Sequence, residues 1–242
     1  MGRPLLVLDA DAPRSTARSR SAHWRSSLAT AQAMLAWLIA ALLALGLVGP
    51  SQASAQRPAA VSLRGAELLA ALRGGGYIIY VRHADTDHSQ NDQRMTSMDD
   101  CGTQRNLTDR GRDHARAIGE AVRSLGIPIG PVRASPLCRT VETATLAFGR
   151  AEKSMAVREA GPLPPGDPAR FAALRALLSK PVPPGTNTAI VGHAYPYYTQ
   201  VGGQYLSEGE ADVVRPTGSG FEVVARVGLA EWRALAALPA GR

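Results

Sequence analysis

The stretch Tyr77 to His83, YIIYVRH, constrains this chain more than any other. Tyr77, Ile78, Ile79, Tyr80 and Val81 form an unbroken apolar run with β character. That suits a strand buried on both faces, the kind found inside α/β sheets. The run delivers Arg82 and His83 to its carboxyl end, the edge at which open α/β sheets form their ligand crevices. A second buried strand, Thr188 to Val191, runs into Gly192 and His193 and repeats the pattern.

The segments between these strands read as an alternation. Leu63 to Leu72 has helical spacing and is stopped by Gly74 to Gly76. Ala84 to Asn106 is polar and almost without period, and a loop of that length in a compact domain is usually functional. Thr108 is placed as an N-cap, with Ala115, Ile118, Ala121, Val122 and Leu125 recurring on one face and Gly126 ending the helix. Pro131 to Ala134 reads as a short strand. The following SPLCRTVETATLAFG reads as a helix with Arg139 in its first turn and a stop at Gly149. Ser154 to Val157 is expected as a third strand, Gly161 to Pro168 as a loop, and Ala169 to Leu178 as a helix. Beyond the Tyr-rich stretch Tyr195 to Tyr205, Asp212 to Val214 and Phe221 to Val227 suggest a hairpin, and a helix holding Trp232 and Leu235 closes the chain. Alternating strands and helices without repeats predict one α/β domain with a mainly parallel sheet.

The charge of +7 hints at nucleic acid or an anionic membrane until its location is considered. Five of the 27 basic and two of the 20 acidic side chains precede residue 56, leaving 22 and 18, an ordinary balance that implies no nucleic acid. The early arginines are followed by the uncharged Ala33 to Val48 and then by Ala53 and Ala55, which supply an A-x-A cleavage site. Basic, apolar and small, in that order, is a secretory signal. Residues 1–55 are therefore expected as the signal and 56–242 as the exported domain, periplasmic or extracellular. No stable membrane association is expected after cleavage. The alternative is an uncleaved N-terminal helix that starts near Leu28 and anchors the protein. Both cysteines, Cys101 and Cys138, lie in the exported part, where a bridge is expected, with two unpaired buried thiols as the alternative.

Three strand ends thus carry basic groups: Arg82 with His83, Arg139 through a helix start, and His193. Two guanidiniums gripping oxygens in bidentate fashion suit a tetrahedral phosphate. An imidazole is a competent nucleophile near neutral pH if one nitrogen is unprotonated and an acceptor fixes the proton on the other. Charge developing on the transferred group can be met by the two guanidiniums and the second imidazole, so neither metal nor cofactor is expected.

Four ordered segments carry a resemblance. VRHADT resembles the RHG signature of the histidine phosphatase (phosphoglycerate mutase-like) superfamily, NLTDRGRDHA its L-T-x-x-G pattern, SPLCRTVETA its second-arginine segment, and IVGHA its second-histidine segment. The resemblance implies a three-layer α/β sandwich, with His83 as nucleophile and Arg82, Arg139 and His193 holding the phosphoryl oxygens. It places the general acid at Glu159, in AVREAGPL, with Asp85 and Asp87 as rivals. The phytase-like branch carries an aspartate after its second histidine, where this chain has Ala194. Two further departures are Ala84 after the nucleophile, where the family has glycine, and Ser89, where many relatives have asparagine.

The function so implied is an exported phosphomonoesterase working through phosphohistidine on a small phosphorylated substrate, with envelope sugar or lipid phosphates among the candidates. The alternatives are a mutase-like phosphotransferase, a phosphohistidine phosphatase, and a non-catalytic phosphate-binding relative.

Overall fold

The computed structural model describes residues 62–167 and 169–238. The leader expected over residues 1–55 lies outside the described residues, and among those described no helix is long and apolar enough to cross a membrane. The elements run α1 (Gly65–Gly74), β1 (Ile78–Arg82), a 3-10 turn (Cys101–Thr103), α2 (Asp109–Ser124), β2 (Ile129–Ala134), α3 (Cys138–Phe148), β3 (Glu152–Lys153), a second 3-10 turn (Met155–Val157), α4 (Ala172–Ser179), β4 (Asn187–Gly192), α5 (Ala194–Val201), β5 (Ala211–Pro216), β6 (Phe221–Val227) and α6 (Leu229–Ala236).

One six-stranded sheet has the order β3-β2-β4-β1-β5-β6. The first four strands in that order are parallel, and β5 and β6 add an antiparallel margin. The apolar runs at Tyr77 and Thr188 become the two central strands. Their side chains alternate between faces, and both faces are filled. Ile79, Val81, Ala189 and Val191 pack with Leu68 and Leu72 of α1, Ile118 of α2, Phe148 of α3 and Trp232 of α6. Ile78, Tyr80 and Ile190 turn the other way, onto Phe171, Leu174 and Leu178 at α4 and Tyr197 of α5. Two cores on one sheet make the three-layer sandwich.

Local signals explain several boundaries. The Thr108 hydroxyl accepts from the Gly111 N–H at 3.0 Å and caps α2. α3 ends where Gly149 turns left-handed at φ 73°. Three segments depart from expectation. The third strand lies two residues earlier than Ser154 to Val157: the ladder closes when the Ser154 N–H donates to the Ala134 carbonyl, and the chain then turns inward through Met155–Val157. α4 begins at Ala172 and not Ala169, because the Asp167 carboxylate takes the Ala169 N–H into a preceding turn. The Tyr-rich stretch forms α5, whose aromatic sequence hides its period. Pro196 is accommodated there because it lies in the first turn, where an N–H has no helical partner.

Candidate active site

The register of the central strands brings the two histidines together. β1 and β4 run parallel with Val81 opposite Val191 and Arg82 opposite Gly192, and the His83 N–H donates to the Gly192 carbonyl at 3.0 Å. His83 and His193 therefore leave adjacent strands at the same edge, with ring centroids 5.6 Å apart. The chain turns from β4 into α5 at His193, where the Tyr80 hydroxyl both accepts from the His193 N–H and donates to its carbonyl, each at 3.0 Å. A Cβ on residue 192 would lie 2.2 Å from that hydroxyl, so only glycine fits before the histidine.

Arg139 reaches the same place from the first turn of α3 and is completely buried. A buried guanidinium has to be paired. Asp92 meets its Nη1 at 3.0 Å, and Glu159 meets its Nη2. The same Glu159 oxygen stands 3.6 Å from His193 Nδ1. Arg82 Nη1 donates to the Leu206 carbonyl at 2.8 Å, and its Nη2 faces Glu208 at 3.4 Å. Among the described residues, three buried nitrogens of this cluster, Arg82 Nε, Arg139 Nε and His193 Nδ1, have no hydrogen-bond partner. Buried donors are ordinarily satisfied, so such a deficit in one basic cluster suits an incoming anion.

His83 presents an unprotonated ring nitrogen to the site. Its Nδ1 lies 3.0 Å from the Ala84 carbonyl, which can only accept, so the proton sits on Nδ1 and Nε2 carries the free lone pair. Burial is the main force that drives the His83 pKa down to about 3, and the Arg139, Arg82 and Arg105 charges add to it. His193 is pushed well below the ordinary imidazole range, again chiefly by burial, with Arg139 the largest charge acting on it. Both rings are neutral at physiological pH.

The three acid candidates are separated in space. Glu159, carried round the sheet edge by the Met155–Val157 turn, is the one that contacts Arg139 and His193. Asp85 faces α2 instead: its carboxylate lies 2.9 Å from His114 Nδ1 and 3.7 Å from Arg110, and its carbonyl accepts the Thr108 N–H. Asp87 closes a local turn, accepting from the Ser89 N–H and hydroxyl at 2.9 and 2.6 Å. Those bonds hold its carboxyl below the usual carboxylate range. Ser89 is thereby also turned onto Asp87. Ala84 donates its N–H to Thr143 Oγ1.

Three contributors are not among the residues that the sequence singles out. Ser135, just past β2, places its hydroxyl 2.8 Å from His193 Nε2. Asp92, inside the long loop, pairs with Arg139 and also accepts the Arg105 N–H. Glu208 stands beside Arg82. Serine in S-P-L and aspartate in a polar loop look like solvated residues until the fold gives them neighbours.

Cys101 and Cys138 are bonded, with Cα atoms 5.7 Å apart across 37 residues. The bridge ties the 3-10 turn of the long loop to the start of α3, next to Arg139. Gln104 reinforces the tie: its side-chain oxygen accepts the Cys138 N–H at 2.9 Å and its amide donates to the Met98 carbonyl at 3.0 Å. A separate cavity of about 780 Å³, lined in part by Leu107, Cys138, Val141 and Leu146, is bordered by Arg112 and Lys153 but not by Arg82, His83, Arg139 or His193.

A mixed α/β sheet whose adjoining strand ends present two neutral histidines, the buried Arg139 and the partly exposed Arg82 defines a site of phosphatase type. The model of the histidine phosphatase superfamily (branch 1) matches residues 78–160. No curated protein sequence matches it. Among solved structures it is similar to the protein histidine phosphatase SixA complexed with tungstate, at 18% identity over 64% of this chain and 97% of the other, with TM-score 0.43. It is also similar to a mutant phosphoserine phosphatase from Entamoeba histolytica in complex with phosphoserine, at 12% identity over 64% and 98%, TM-score 0.44. A third similarity is to a mycobacterial glucosyl-3-phosphoglycerate phosphatase in complex with inorganic phosphate, at 14% identity over 64% and 99%, TM-score 0.46.

Proposed function

We propose that the protein is an exported phosphomonoesterase that transfers the phosphoryl group of a small substrate to His83 Nε2 and then to water. The observation that carries this reading is the convergence of a lone-pair-bearing Nε2 with the buried, unpartnered nitrogens of Arg82, Arg139 and His193. The substrate phosphate enters between Arg139 and His193, where Glu159 rests in the free protein, and displaces that carboxylate toward the ester oxygen.

Nε2 attacks phosphorus in line with the departing oxygen, and the P–O bond breaks as the N–P bond forms. The guanidiniums and His193 Nδ1–H meet charge on the equatorial oxygens. For Nδ1 of a neutral His193 to donate, Nε2 must accept, and the Ser135 hydroxyl supplies that proton. Glu159, taking up the proton that a monoanionic substrate brings in, passes it to the leaving oxygen. The resulting carboxylate then takes a proton from water as that water attacks the phosphohistidine. Phosphate leaves and the Nε2 lone pair is restored.

Export is supported by the leader sequence and by a bridge within the domain, since disulfides persist in oxidising compartments. The purified protein is expected to release inorganic phosphate from a monoester such as p-nitrophenyl phosphate with chelator present, and His83→Ala is expected to abolish that release. Phosphate binding without turnover in the wild type would overturn the reading in favour of a binding protein.

A further inference from the structure

The loop Leu206 to Glu210 is built against the nucleophile from the side opposite its lone pair. The Gly209 N–H donates to the His83 carbonyl at 2.9 Å, the Arg82 N–H donates to the Glu210 carbonyl at 3.0 Å, and the Arg82 side chain holds the Leu206 carbonyl. The loop is also closed on itself, because the Ser207 N–H donates to the Glu210 carboxylate and the Glu210 N–H to the Ser207 carbonyl. The backbone that carries Glu208 therefore has little freedom.

The Glu208 side chain is fixed as well. Its Oε2 accepts the Thr86 N–H at 3.0 Å and its Oε1 accepts the Thr86 hydroxyl at 2.7 Å. From that anchored position Oε1 lies 3.4 Å from Arg82 Nη2, 3.5 Å from His88 Nε2 and 4.0 Å from His83 Nδ1. A mostly buried carboxylate thus faces the protonated edge of the nucleophilic ring, alongside the Ala84 carbonyl that takes its hydrogen bond.

We propose that Glu208 is a positioning residue of the phosphoryl-transfer reaction, a fixed negative charge behind His83 that balances the positive ring formed when Nε2 takes up phosphorus. This rests on the phosphatase reading above. The electron count makes the need plain. Neutral His83 already carries its proton on Nδ1, so forming the N–P bond at Nε2 leaves one positive charge on the imidazole, in a site that already holds Arg82, Arg139 and Arg105. Ala84 supplies only a carbonyl dipole. Glu208 supplies a full charge that is in place before the reaction and needs no reorganisation. The carboxylate behind the histidine of a hydrolase triad is hydrogen-bonded to its ring, whereas Glu208, 4.0 Å from Nδ1, acts through its charge. A further difference is that the Ala84 carbonyl already fixes which nitrogen is protonated, so loss of Glu208 leaves the tautomer intact and costs less.

The role has a signature that a purely architectural one lacks. Glu208 also sits on Arg82, where its charge opposes an incoming dianion. Glu208→Gln keeps an oxygen for Thr86 and removes the charge. In this variant kcat for p-nitrophenyl phosphate is expected to fall about 10- to 100-fold. The dissociation constant for inorganic phosphate is expected to stay the same or fall, and thermal unfolding to remain within a few degrees of wild type. Glu208→Asp, which retains the charge, should recover part of kcat. Should Gln unsettle the fold, the Asp variant and the phosphate titration still separate the two roles. A Gln variant with kcat within twofold of wild type would overturn the proposal, as would kcat and phosphate affinity falling together. A wild type that binds phosphate without turnover would remove the phosphatase reading and this role with it, an outcome distinct from the other two.

Discussion

His83 owes its readiness to what each of its nitrogens faces. Nδ1 gives its proton to a carbonyl, and burial among Arg139, Arg82 and Arg105 keeps a second proton off Nε2. The unfolded chain would titrate this imidazole near its ordinary value of about 6.5, whereas the folded one holds it near about 3. Between those values the unfolded state binds the extra proton and the folded state refuses it. The associated stability is therefore complete above about pH 6.5 and is lost as pH falls from there toward 3. His193, shifted the same way, adds to the trend. Imidazole NMR is expected to find His83 neutral with its proton on Nδ1 at pH 5, and chemical denaturation should show lower stability at pH 5 than at pH 7. A His83 midpoint near 6.5 would contradict this picture.

Glu159 makes a different prediction. If it protonates the departing oxygen, Glu159→Gln should cost about 100-fold or more in kcat on alkyl phosphates and far less on aryl phosphates, whose leaving groups need no proton. Equal losses on both would point elsewhere for the acid. His83, Arg82, Arg139, His193 and Glu159 could be picked out of the sequence because each follows an apolar run or belongs to a recognised segment. Asp92 and Glu208 could not, because what distinguishes them is a neighbour brought by the fold and not a spacing along the chain; Ser135 opens a recognised segment, but its contact with His193 comes from the fold alone.

At the scale of elements, the site depends on two alignments. The parallel register of β1 and β4 sets the histidines side by side, and the Cys101–Cys138 bridge with Gln104 secures the long loop to the start of α3. Asp92, which pairs with Arg139, lies in that loop, so loosening the loop should loosen Arg139. Reduction of the bridge, or Cys101→Ser with Cys138→Ser, is expected to destabilise the protein by about 4 kcal/mol for a loop of 37 residues. It should also raise KM more than it lowers kcat. Unchanged unfolding and unchanged KM would show that the loop holds without it. The central strands, the Thr108 cap and the Gly149 stop were all legible, since buried runs, caps and left-handed glycines are local signals. α5 and β3 were not. The first is a helix without a visible period, and the second is a two-residue strand determined by its partner β2.

For the molecule as a whole, a sheet with a core on each face is what an Ala-, Leu- and Val-rich chain of alternating strands and helices can build. Its ligand edge is where the parallel strands end. Single strand ends are ambiguous, and it is the meeting of three of them that makes the chemistry specific. The irregular segment Ala84 to Asn106, by contrast, follows no periodic rule, and the substrate was not legible in it. The central claim is that this edge carries a phosphoryl group on His83. Acid- or base-quenched samples of the protein mixed with p-nitrophenyl phosphate test it directly. The wild type is expected to hold a phosphoryl group that is acid-labile, base-stable and located on His83, and His83→Ala is expected to hold none. Turnover by the wild type without any trapped phosphoenzyme, or an equal label in His83→Ala, would contradict it.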